Sequence, residues 1–121
     1  MAQIKDYKMK KIILMTMLMS AVFAQSDCNK DNWREYYNSE GRDLTNCDLE
    51  RKYLAFANLT GANLTGANLR EANLRRARLR EADLRDAILK GVRSSRIKGK
   101  PAYLPKGWSL VDGRLINKNE E

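Results

Sequence analysis

The sequence predicts an all-β chain wound into a solenoid, with a short helix covering one end and a β-hairpin the other. Three observations carry this. Leucine recurs at every fifth position from Leu44 to Leu89. Alanine stands two positions before seven of those leucines, from Ala57 to Ala87. Asn or Asp fills the position between in seven blocks.

From Arg42 to Gly91 the chain divides into ten consecutive blocks: RDLTN, CDLER, KYLAF, ANLTG, ANLTG, ANLRE, ANLRR, ARLRE, ADLRD and AILKG. An α-helix cannot use this period, because five residues at about 100° each move successive leucines roughly 140° around the axis. A flat strand cannot use it either, because an odd step sends successive leucines to opposite faces. A chain that turns once per block points every leucine at a common axis. The preceding alanine points inward beside it, and its small size lets the wall close. The intervening Asn or Asp is expected at the corner, where such side chains hydrogen-bond neighbouring backbone. Arg78 and Ile88 replace that polar residue and weaken the local bonding.

The run ANLTGANLTGANLREANL resembles the pentapeptide-repeat family, whose consensus is A(D/N)LXX. The resemblance implies a right-handed, quadrilateral parallel β-helix with four blocks per coil and the first and third positions inside. Arg42, Cys47 and Lys52 depart from the expected alanine and mark an atypical first coil. Members of that family that mimic DNA need an acidic surface, and this chain is basic.

Residues 1–24 read as a secretory signal peptide. Lys5, Lys8, Lys10 and Lys11 precede the apolar run Ile12–Phe23, and Ala24 offers a small-residue exit. Twelve apolar residues are too few to span a bilayer, which takes about 20. The expected product is therefore exported, periplasmic or extracellular, without a transmembrane anchor after cleavage. In that oxidising setting Cys28 and Cys47 are expected to form a disulfide. The expected parts are thus a leader (1–24), an N-terminal cap (25–41), the solenoid (42–98) and a C-terminal hairpin with its tail (99–121).

In the cap, Trp33 and Tyr37 stand four apart, which puts both rings on one helical face. Asp31 is the expected N-cap and Gly41 the terminator. At the other end Asp112-Gly113 lies between Trp108–Val111 and Arg114–Asn117, a strong two-residue hairpin signal. The segment GKPAYLPKGWSLVDGRLI resembles one that recurs with pentapeptide arrays, of the form LPxGWxxVNGxLI; Trp108 and Leu110 are expected on the last coil, and Asn117–Glu121 to fray.

The chain has a formal charge of +8; the leader holds four lysines and one acid, so the remainder keeps +5. It contains no histidine, and nothing pairs a nucleophile with an activating base, so no catalytic residue, metal site or cofactor is expected. Stacking four blocks per coil places residues twenty apart in columns: Glu50, Arg70 and Lys90 in one, Arg51 and Glu71 in another. From Arg70 to Lys100 there are eleven basic residues and four acids. Arg75, Arg76, Arg78, Arg80 and Arg96 form the candidate interaction surface, expected at one corner without interleaved aromatics. The function expected is that of a structural or protein-interaction module of the cell envelope, the alternative being a polyanion-binding module. The partner is an unnamed protein or an anionic envelope component, with nucleic acid disfavoured because no aromatic residue is offered for base stacking.

Overall fold

The computed structural model describes residues 28–120. The expected leader lies outside them. The chain is a β-helix-type solenoid closed by a helix below and a hairpin above. Isolated parallel bridges link residues twenty apart, from Asp43–Asn63 through to Asp83–Tyr103, so each coil takes four blocks. The leucines and alanines of the repeat make one continuous core. All ten leucines are buried, Leu54 being the most exposed at 2 %.

Each turn lies at the fourth and fifth positions of a block, which corrects the expectation that the second position forms the corner. The N–H after the turn donates back to the leucine carbonyl, as Ala67 does to Leu64 at 3.0 Å. Every fifth-position residue from Asn46 to Arg96 has φ between +55° and +71°. Positive φ at only the second central residue is the pattern of a type II turn. The second-position side chain is instead a brace. Its Oδ1 accepts the N–H two residues on, as in Thr65 to Asn63 at 3.0 Å and Arg75 to Asn73 at 3.0 Å.

The block Ala67–Glu71 shows how completely the backbone is satisfied. Ala67 N–H closes the turn to Leu64. Asn68 donates down to Cys47 at 2.8 Å, while Leu69 and Glu71 donate up to Ile88 and Lys90 at 2.8 and 2.9 Å. Arg70 donates to Asn68 Oδ1 at 3.1 Å. One side-chain oxygen supplies what neither neighbouring coil can, which is the physical reason for Asn or Asp at that position.

The lower end is sealed by α1 (Trp33–Tyr37). Trp33 is buried, and its ring meets Tyr37 edge-on at 6.0 Å. The cap stands in for a missing coil: Cys28 carbonyl accepts the Asp48 N–H at 3.1 Å, and Tyr37 Oη accepts the Asn58 N–H at 3.0 Å. The Cys28–Cys47 disulfide, with Cα atoms 4.5 Å apart, ties this cap to the first coil. The caps of α1 differ from expectation. Asn32 rather than Asp31 is its N-cap and Asn38 rather than Gly41 its C-cap. Asn29 Oδ1 takes the N–H groups of Asp31 and Asn32 at 2.8 and 3.1 Å, so the bracing oxygen comes from further upstream.

At the upper end β1 (Trp108–Val111) pairs antiparallel with β2 (Arg114–Asn117). Asp112 and Gly113 have φ of +49° and +78°, as a type I′ turn requires. Trp108 and Leu110 pack on the core half-buried, but the fully buried anchor is Leu115. The hairpin docks through Ile97 N–H to Gly113 carbonyl at 3.0 Å and Leu115 N–H to Ser94 Oγ at 2.8 Å. Asn117 does not begin a frayed tail. It closes the ladder opposite Trp108, and Lys118–Glu120 form a 3-10 turn held by Lys118 N–H on Gly107 carbonyl at 2.7 Å.

Candidate functional site: an acid-free basic surface

The twenty-residue stack sorts the charges by side. Residues 52–59, 72–79 and 92–99 lie one above another and make two adjoining sides with the corner between them. They carry Lys52, Arg75, Arg76, Arg78, Arg93, Arg96 and Lys98, and no acid. All of these except Lys52 are exposed. The remaining two sides, 43–51, 63–71 and 83–91, carry six acids against four basic residues. There the charges pair. Arg51 Nε donates to Glu71 Oε1 at 2.8 Å, as the column arithmetic expects, and Arg85 forks onto Asp83. The bond from Arg51 holds the Glu71 carboxyl below the usual carboxylate range, and the bond from Arg85 does the same to Asp83. The expected ladder of Glu50, Arg70 and Lys90 does not form among the described ion pairs; Glu50 instead accepts from Asn68 Nδ2 at 3.4 Å.

The five expected arginines do not share one corner. Arg76, Arg78 and Arg96 are brought together, with Lys98, Phe56 and Asn58, in the lining of a groove of about 400 Å³. Arg75 turns to the neighbouring side, where its Nε reaches Ser95 Oγ at 3.3 Å and it borders a hollow with Arg93 and Arg114. Arg80 belongs to the next corner, its Nε 4.0 Å from Glu81. The reason is the turn. Arg75 and Arg76 are its two central residues and diverge, while Arg78 and Arg80 flank an inward leucine on the following side.

Phe56 is the residue of this surface that the sequence reading lacked. It sits one coil below Arg76, whose guanidinium lies 5.4 Å from the ring centroid. Phe56 is 63 % exposed and Tyr53, on the same acid-free surface, 71 %. The expectation that no aromatic interleaves with the arginines is therefore wrong: twenty-residue spacing joins Phe56 to Arg76 although they are far apart in sequence.

The profile for pentapeptide repeats matches residues 53–91 in eight copies. Residues 53–91 are thus pentapeptide repeats of that family's type. A pentapeptide repeat protein (Rfr23) from the cyanobacterium Cyanothece 51142 is similar in structure, with 39 % identity and a TM-score of 0.50 over 53 % of this chain. The pentapeptide-repeat chain spans 44 % of the length of that protein. Another solved structure, alr5209, a pentapeptide repeat protein from Nostoc Pcc 7120, has 24 % identity and a TM-score of 0.34, covering 69 % of this chain and 91 % of its own. No curated protein matches the sequence.

Proposed function

We propose that the protein is an exported, non-enzymatic interaction module of the cell envelope, engaging an anionic partner through the acid-free sides of a right-handed, quadrilateral coil. The observation that carries the reading is the segregation of charge. Exposed like charges stacked in register repel. A solvated solenoid would disperse them, as the other two sides do with Arg51–Glu71 and Arg85–Asp83. Here six exposed cations share a surface without a carboxylate among them. Arginine supplies most of them, and its planar fork suits carboxylate or phosphate contact. Export rests on the leader pattern at 1–24, and the disulfide at Cys28–Cys47 is consistent with an oxidising compartment.

The test uses inorganic polyphosphate as a soluble probe and the variant Arg76→Gln/Arg78→Gln/Arg96→Gln. All three side chains point outward, so the variant keeps the fold. The wild type is expected to bind at low salt and the variant at least about tenfold more weakly, since contacts to polyanions rest on the number of cations engaged. Equal binding by the two proteins would refute the assignment of this surface.

A further inference from the structure

Charge alone would serve any anion, but this surface also exposes apolar rings. Tyr53 and Phe56 are the two most exposed large hydrophobic residues among those described, and both lie on the lower coil of the acid-free surface. Ile116 of β2 borders the same surface at its upper end, beside Arg75 and Arg93. Arginines thus lie between apolar groups above and below. The nearest acids are at the margins: Glu71, paired with Arg51, lines a hollow with Tyr53 and Arg93, Glu81 lies near Arg80, and Asp112 occupies the hairpin turn.

The two rings also break the rules of the repeat. The second position takes Asn or Asp because the side chain must accept the N–H two residues on, and Tyr53 cannot do this. The fifth position has positive φ, where a bulky residue is strained and Asn or Gly fits. Phe56 nevertheless stands there with φ +65°. Arg78 likewise replaces the bracing Asn on the same surface. Other large residues fill the fifth position on every side, and Ile88 replaces the brace on another, but only the block of Tyr53 and Phe56 among the ten puts aromatic rings at both positions, which marks a functional demand on this surface. A soluble polyanion needs no exposed ring. A membrane interface does use them, because an aromatic side chain settles at headgroup level while neighbouring cations meet anionic lipid. The outward side chains of a β-solenoid stand in straight columns about 4.8 Å apart along the stack, and the corner column of Phe56, Arg76 and Arg96 is the edge that meets a flat target.

We propose that this surface docks onto an anionic phospholipid bilayer, Tyr53 and Phe56 entering the interfacial layer and Arg76, Arg78 and Arg96 meeting headgroup phosphates. The inference rests on the anionic-partner reading above and narrows it to a membrane. No helix among the described residues is long and apolar enough to cross a membrane.

The test is vesicle co-sedimentation of the full chain with phosphatidylglycerol–phosphatidylcholine vesicles, pure phosphatidylcholine vesicles and soluble polyphosphate. The aromatic variant is Tyr53→Asn/Phe56→Asn. Both changes restore what the repeat prefers, so it folds at least as well as the wild type. The segment Ile12–Phe23 is common to all the proteins, so differences between them report on the surface. Wild type should bind the anionic vesicles and bind phosphatidylcholine at least about tenfold more weakly. The aromatic variant should lose about tenfold on anionic vesicles, the burial of two rings, and keep its affinity for polyphosphate. Vesicle binding unchanged in the aromatic variant would overturn the proposal. So would wild-type binding of polyphosphate but not of anionic vesicles, which leaves the anionic-partner reading standing. Binding of neither would sink both.

Discussion

Leu69→Ala is the most informative perturbation of the core. Leu69 is fully buried in the middle coil, with Leu49 and Leu89 one coil below and above. Truncating a buried leucine costs about 2–5 kcal/mol, and the cost rises as the surrounding wall fails to collapse. The wall here is held by the ladder. Asn68, Leu69 and Glu71 donate to the neighbouring coils at 2.8, 2.8 and 2.9 Å, so the coil spacing cannot close over a hole. The expected cost is therefore in the upper part of the range, about 3–5 kcal/mol. Leu54→Ala, in the first coil with only the cap beneath it, should cost less, about 2–3 kcal/mol. Urea unfolding reads both, followed by far-ultraviolet circular dichroism and by the fluorescence of Trp33 and Trp108, one in each cap. A cost below about 1 kcal/mol for Leu69, or a larger one for Leu54, would refute the reasoning.

Other predictions probe the ends and the surface. Gly113→Ala should destabilise by about 1–2 kcal/mol, because that residue has positive φ; its Cβ would also lie 3.2 Å from Arg96 Cα. Thermal melting checks it, and a neutral result would mean the hairpin does not press on the last coil. Reducing Cys28–Cys47, which closes a separation of 19 residues, should cost about 3 kcal/mol in the chain-entropy model. Peptide mapping without reductant should find the pair joined, and two freely alkylated thiols in exported protein would contradict it. Stability should also fall in acid. Glu71 and Asp83 are held below their ordinary values, so their contribution is full above roughly pH 5 and is lost as pH drops through and below the usual carboxylate range near about 4. The Arg51–Glu71 pair is exposed and Asp83 only half-buried, so the loss is modest; Arg51→Gln should remove the part due to Glu71. Stability that rises between about pH 5 and 3 would contradict the sign.

The core was legible because leucine at every fifth residue permits only a chain that turns once per block. The caps were legible from Trp33 and Tyr37 at helical spacing and from Asp112-Gly113. The turn was misplaced because its signal is diluted. Gly61, Gly66 and Gly91 mark the fifth position, but Arg, Glu, Asp and Phe fill it elsewhere with the same positive φ, the ladder holding them there. The conspicuous Asn and Asp drew the corner to the wrong residue, although their bonding to nearby backbone is real. The surface was half legible. Column spacing put Arg96 above Arg76 and Glu71 above Arg51, and applied one step lower it reaches Phe56. Reading the arginines as a cluster along the chain joined Arg75 and Arg80 to a corner that three-dimensional stacking divides.

The most direct test of the account is the salt dependence of polyphosphate binding by wild type and by Arg76→Gln/Arg78→Gln/Arg96→Gln. Affinity should fall steeply as ionic strength rises, and the logarithmic slope should be smaller in the variant by about two to three, roughly one for each arginine removed. Equal slopes and equal affinities in the two proteins would mean that the acid-free sides are simply solvated, and the central claim would be wrong.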